Sequence, residues 1–261
     1  MKMKTKRKAL LLSLCAVLLV VASVMGTMAY LTSTDTVNNT FTVGKVKITL
    51  DEAEVNVNGE KVSENRVQNN EYKLMPGHTY IKDPTVTVKK GSEDSYVRLK
   101  VTFNNASKLE AMLPSADNLE EYTDEEIALV RKLSPILFLT NYTKTGYDVW
   151  APEFNMMDTD EMALILGDTK YYVYDAATDS ATFIFYYPAM VKAEDVAGGD
   201  LPLAPIFTEI KLPDHITAEQ LATLANFKIT AVAEAIQADG FVDASGKPDA
   251  AAAWAAFADQ Q

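Results

Sequence analysis

The residues with the chemistry to catalyse or to hold a metal are few: two histidines, His78 and His215, one cysteine, Cys15, and a short run of carboxylates. Zinc needs three or four nitrogen, sulfur or carboxylate ligands converging on one point, and the compact spacings that deliver them, His-Glu-x-x-His and Cys-x-x-Cys, do not occur. His78 follows Pro76-Gly77 and His215 follows Pro213-Asp214, so both read as loop histidines. There is no Gly-x-Ser-x-Gly nucleophile turn, no phosphate-binding loop and no dinucleotide fingerprint. Met156-Met157-Asp158-Thr159-Asp160-Glu161 groups three carboxylates, but lacks the glycine and distal glutamate of a calcium loop. A helix start, where the dipole favours acids, is the simpler reading of Asp158–Glu161, with weak calcium binding as the alternative. The tyrosines and phenylalanines of 171–187 suit cross-strand packing, or else a platform for stacking sugars. No catalytic residue, metal ligand or cofactor is therefore assigned. A formal charge of −12 argues against nucleic acid as partner, because phosphate binding needs a cationic surface.

The elements that must position such residues alternate at period two. Val46, Ile48 and Leu50 share one face and Lys45, Lys47 and Thr49 the other, a half-buried strand that begins near Phe41. Asn58-Gly59 between two strand-like runs predicts a hairpin whose central pair adopts positive φ. Further strands are expected at 85–88, 96–103, 171–174, 182–187 and 206–212. At 227–236 alanines 231, 233 and 235 share a face with Ile229, which suggests close packing on a strand; a helix over 231–238 is the competing reading. Thr123–Glu126 and Thr217–Gln220 carry capping-box patterns, the first opening a helix that should end ahead of Pro135. Pro248-Asp249-Ala250 opens an Ala-rich helix with Trp254 and Phe257 on one stripe. Many strands, with helices confined to connections and an insert around 105–165, predict a mainly β chain folded as a β-sandwich with excursions.

The N-terminus follows other rules. Lys2, Lys4, Lys6, Arg7 and Lys8 precede an apolar run from Ala9 to Met25, and Gly26-Thr27-Met28-Ala29 supplies small residues. That order predicts a secretory signal over 1–29, cleaved between Ala29 and Tyr30, followed by one domain over 30–261. The rival reading is an uncleaved membrane anchor, for which the 17 residues from Ala9 to Met25, interrupted only by Ser13 and Ser23 and spanning roughly 25 Å as a helix, fall short of a hydrocarbon core about 30 Å thick. Cleavage removes five cations and takes the charge from −12 to −17. It also removes Cys15, so an exported chain of 232 residues (261 less 29) must be stabilised by its core rather than by disulfides. The end, Phe257–Gln261, carries no apolar tail or basic cluster, and no covalent anchor to a cell is expected.

Gly26-Thr27-Met28-Ala29-Tyr30-Leu31-Thr32 and Asn39-Thr40-Phe41-Thr42-Val43-Gly44-Lys45, with the strand that follows, resemble the start of the TasA/CalY/camelysin family of Gram-positive bacteria, whose members are processed by a SipW-type signal peptidase. Leu74-Met75-Pro76-Gly77 and, more weakly, Ala233-Glu234-Ala235-Ile236-Gln237 extend the likeness, while 110–200 carries no signature of the family. The resemblance implies a jelly-roll-like antiparallel β-sandwich, export, and assembly into biofilm-matrix fibres by donation of the new N-terminal strand to a neighbour. Tyr30–Thr40 would be that donor, with Leu31 and Val37 as apolar anchors and Asn39, Thr40, Phe41 and Gly44 as the motif leading into the first strand. Implied partners are further copies of the chain, the signal peptidase, and other matrix proteins or polysaccharide; contact with a membrane is expected only through the uncleaved signal. Because camelysin relatives have been classed as metallopeptidases, a metalloendopeptidase is one alternative function, and a monomeric surface adhesin or cation-binding module is another.

Overall fold

A computed structural model describes residues 32–35, 46–113, 123–141, 163, 166–224 and 226–258. The signal segment 1–29, the motif residues Asn39, Thr40, Phe41 and Gly44, and the acidic run Asp158–Glu161 lie outside these. Eleven strands are found among the described residues: β1 (Thr32–Asp35), β2 (Ile48–Val55), β3 (Lys61–Val67), β4 (Thr79–Ile81), β5 (Thr85–Val88), β6 (Ser95–Asn104), β7 (Tyr172–Asp175), β8 (Ser180–Tyr186), β9 (Leu201–Pro202), β10 (Glu209–Lys211) and β11 (Ile229–Gln237). Four helices have both ends among the described residues: α1 (Ala106–Met112), α2 (Asp124–Phe138), α3 (Ala218–Ala222) and α4 (Ala250–Ala258).

The strands form three separate antiparallel sheets, ordered β1-β11-β6-β8-β7, β3-β2-β5-β9 and β10-β4. This corrects the expected jelly-roll-like β-sandwich: the chain is a mixed α/β fold of small, mostly open sheets. The physical reason is in the core. Helices are not confined to connections, because Leu109 on α1 and Val130, Leu133 and Ile136 on α2 enter the same buried cluster as Val97, Leu99, Val101 and Phe103 of β6. Part of the apolar area that a closed sandwich would take from a second sheet is supplied here by helices, beside Ile48, Leu50, Val86 and Val88 of β2 and β5, and β4 and β10 pair with each other rather than joining a larger sheet.

Local signals account for most element boundaries. Both capping boxes are present: Thr123 and Thr217 accept from the amides of Glu126 and Gln220, whose side chains reach back to the cap amides. Helix α2 does not stop ahead of Pro135 but runs through it to Phe138. The proline costs that helix one hydrogen bond, which burial of Leu133, Pro135 and Ile136 offsets. The segment with alternating alanines is a strand, not a helix, and its Ala233 and Ala235 are fully buried. Helix α1 has no cap from its own Asn105; instead Asp179, in the β7–β8 turn, accepts from the Ser107 amide (3.0 Å) and hydroxyl (2.9 Å). Partial burial pushes that carboxyl up, but the bonds from Ser107 and Tyr174 outweigh it and hold it below the usual aspartate range.

The hairpin at Asn58-Gly59 forms, with a different turn. The Gly59 amide donates to Asn56 O (2.9 Å), so the central pair is Val57-Asn58, and only Gly59 has positive φ, at 77°. That is a type I turn closed by a left-handed glycine. A side chain there is excluded twice over, since a Cβ on Gly59 would lie 2.6 Å from the Cα of Tyr80. Tyr80 is wholly buried and its hydroxyl donates to Lys73 O and accepts from the Met75 amide, both at 2.7 Å. Gly59→Ala is therefore expected to destabilise the fold by about 2–4 kcal/mol, from left-handed strain plus overpacking, read as a lower urea midpoint at unchanged slope. The Asp179 cap contributes fully above the unfolded carboxyl's pKa and is lost as pH falls through the lower folded value. Asp179→Asn should accordingly narrow its stability deficit against the parent as pH is taken down through that range, measured by denaturant titration at each pH.

Candidate functional site

Strand β11 carries the features that bear on function. Residues Ile229–Gln237 pair along their whole length with β6, from Ile229↔Phe103 to Gln237↔Ser95. The other edge of β11 receives β1, in the register Thr32↔Ile236, Ser33↔Ala235, Thr34↔Glu234 and Asp35↔Ala233. The segment expected to donate a strand is thus seen, through Thr32–Asp35, folded back on the sheet of its own chain. The remaining donor residues Tyr30, Leu31 and Val37, and the cleavage residue Ala29, lie outside the described residues. From Ile229 to Val232 the β1 side of β11 has no partner strand among the described residues.

Alternation gives β11 two unlike faces. Ala233 and Ala235 point into the main core, where small side chains let the strand sit close to the layer beneath. Glu234 and Ile236 point the other way and are also buried, because α4 covers that face. Burying a carboxylate is tolerable only when its oxygens are matched. Arg98 Nε donates to Glu234 Oε2 (2.5 Å) and Lys100 Nζ to Oε1 (2.6 Å), both from the outward positions of neighbouring β6. The Arg98 guanidinium then lies 4.4 Å from the Trp254 ring centroid, 5.0 Å from Phe257 and 5.9 Å from Tyr186, a cation walled by aromatic faces. Trp254 and Phe257, the stripe read from the sequence, are the anchors of α4 and stabilise its docking by about 1.5–3 kcal/mol each.

This cluster is what sequence reasoning missed. In the sequence Arg98 and Lys100 alternate with the apolar residues of their strand, and Glu234 stands between alanines. The one available signal was the stripe on α4, which requires a sheet face to cover.

The histidines are not brought to a common ligand set. His78 Nε2 lies 2.9 Å from Asn58 O with its ring against Tyr80, and His215 Nε2 lies 3.0 Å from Met112 O. Among the described residues no group of three His, Cys, Asp or Glu side chains is placed to hold a metal, and no helix is long and apolar enough to cross a membrane.

Removing Glu234 would leave two cations facing each other under α4. Glu234→Ala is expected to cost about 3–5 kcal/mol in chemical denaturation, whereas Lys100→Ala, which leaves the Arg98 pair in place, should cost clearly less. Comparisons with protein families, with curated proteins and with solved structures find no match to this chain.

Proposed function

We propose that the chain is an exported, non-enzymatic structural protein of a Gram-positive bacterium, which assembles with copies of itself into extracellular matrix fibres through the N-terminal segment freed by signal-peptide removal. The observation that carries this reading is the antiparallel pairing of β1 with the edge of β11. Each of its backbone hydrogen bonds adds about 0.5–1.5 kcal/mol net, while each ordered residue costs about 1–2 kcal/mol of backbone entropy. Four residues paired at an edge therefore sit near balance. The same bonds made by the N-terminal segment of a second copy would satisfy the same edge, and a head-to-tail contact of that kind propagates into a filament rather than closing.

The test compares protein beginning at Tyr30 with protein beginning near Phe41, which lacks β1, by electron microscopy and sedimentation. Fibres from the first and monomer from the second are expected. Equal fibre formation by both would remove the strand-donation mechanism, and monomer from both would remove the fibre reading.

A further inference from the structure

Beyond assembly, and independent of it, three side chains beside β2 are set for a covalent step. Glu52 lies on β2, Asn70 just past the end of β3, and Lys82 between β4 and β5. One carboxylate holds the other two groups: Glu52 Oε2 accepts from Lys82 Nζ (2.7 Å) and Oε1 from Asn70 Nδ2 (2.9 Å). Lys82 and Glu52 are both more than nine-tenths buried. The Tyr72 ring centroid is 5.7 Å from Lys82 Nζ, and the Tyr72 hydroxyl donates to Ile81 O (3.1 Å). Burial, and after it the charge of Glu52, push that hydroxyl well above the usual phenol range, as a site with little water requires.

The Asn70 carboxamide is fixed end for end. Its Oδ1 accepts from the Val55 amide (3.0 Å), and its Nδ2 donates to Ala53 O (2.9 Å) as well as to Glu52. A backbone N–H must face the oxygen and a backbone carbonyl the NH2, so the group cannot be turned over. Its acyl carbon therefore has an oxygen bonded to a backbone donor and an NH2 seated on a carboxylate. A primary amine occupies the other oxygen of that carboxylate. Those are the parts of an acyl transfer: oxyanion donor, leaving group, acid–base and nucleophile. A buried Lys–Glu pair is by itself weak grounds for stability, and the oriented amide is what it does not explain.

We infer that Lys82 and Asn70 become joined by a Glu52-assisted amide bond between Lys82 Nζ and Asn70 Cγ, with release of the Asn70 side-chain nitrogen. Glu52 takes a proton from the Lys82 ammonium at Oε2, which frees the amine lone pair without changing the net charge. Rotation about the end of the lysine side chain carries Nζ to Cγ, where the lone pair forms the new N–C bond. The charge that develops on Oδ1 meets the Val55 N–H. Glu52 then protonates Nδ2 and removes the surplus proton from the new amide nitrogen. The Cγ–Nδ2 bond breaks, its electron pair leaving with nitrogen. The group departs as ammonium, carrying the charge that Lys82 brought; Glu52 is a carboxylate again and no co-reactant enters. Holding both groups on one carboxylate makes the step intramolecular, which is where its rate comes from. Glu52, Asn70 and Lys82 line a cavity of about 300 Å³ that is partly open to solvent, the exit for the ammonium ion.

Intact mass and peptide mapping of the folded protein test this. The protein is expected to be lighter by one ammonia than the sequence from its own N-terminus. Trypsin, stopped at the acylated Lys82, should yield residues 67–73 joined to residues 74–89. Asn70→Ala and Lys82→Arg should each show the full mass and no joined peptide. Glu52→Gln, with its fold verified by circular dichroism, should also stay unjoined. A folded parent protein at full mass would overturn the bond. So would an ammonia loss that maps to a succinimide at Asn58-Gly59, with the two tryptic peptides separate. A joined peptide in Glu52→Gln would overturn the part assigned to Glu52.

Discussion

The nine-residue pairing of β11 with β6 is the constraint on which the rest of the molecule depends. It sets Arg98 opposite Glu234 and Lys100 two residues along on the same face, so the register that aligns the backbones also places the charges that neutralise the buried acid. A slip of one residue would turn Glu234 into the main core and Ala233 and Ala235 outward. The ion cluster therefore acts as a register lock, with the stability cost of desolvating three charges traded against a single allowed pairing. Everything that touches β11 inherits that choice: β1 on its free edge, α4 on its outer face, and the cavity at its start.

The alanines complete the same constraint from the inner side. A strand of small residues would be a poor choice on propensity alone, and it persists because both of its faces are covered. Inward, Ala233 and Ala235 approach the cluster shared by β2, β6 and the helices; outward, Ile236 packs with Tyr96, Trp254 and Phe257. The C-terminal helix is thus part of the sheet's stability rather than an appendage, since without it Glu234 and Arg98 would face water and the outer half of β11 would lose its cover.

How much of this could be read from the sequence follows from the range of each interaction. Alternation in β6 and β8, the two capping boxes, the alanine strand and the stripe on α4 are local patterns, and each is found where it was read. The turn at Asn58-Gly59 was legible as a turn but not as to type, because Asn56 decides it by accepting the amides of Gly59, Asn58 and Glu60. The course of α2 through Pro135 and the entry of α1 and α2 into the core were not legible, since burial against distant strands overrides the local signal. Arg98 and Lys100 are separated from Glu234 by more than 130 residues, and only their register reveals them as one group. The jelly-roll expectation failed at the same level: strand identity is local, but which strands share a sheet is not.

The two buried cations among the described residues, Arg98 and Lys82, are each matched to a carboxylate and set against aromatic rings. Under α4 both oxygens of Glu234 are bonded, Arg98 is enclosed by three aromatic rings, and a ligand finds nothing unspent. Beside β2 the Glu52 carboxylate is equally well matched, and the Lys82 ammonium bonded to it lies 5.7 Å from the Tyr72 ring centroid. In both places removing the acid strands a buried cation, which costs more than replacing the whole pair by apolar residues of similar volume.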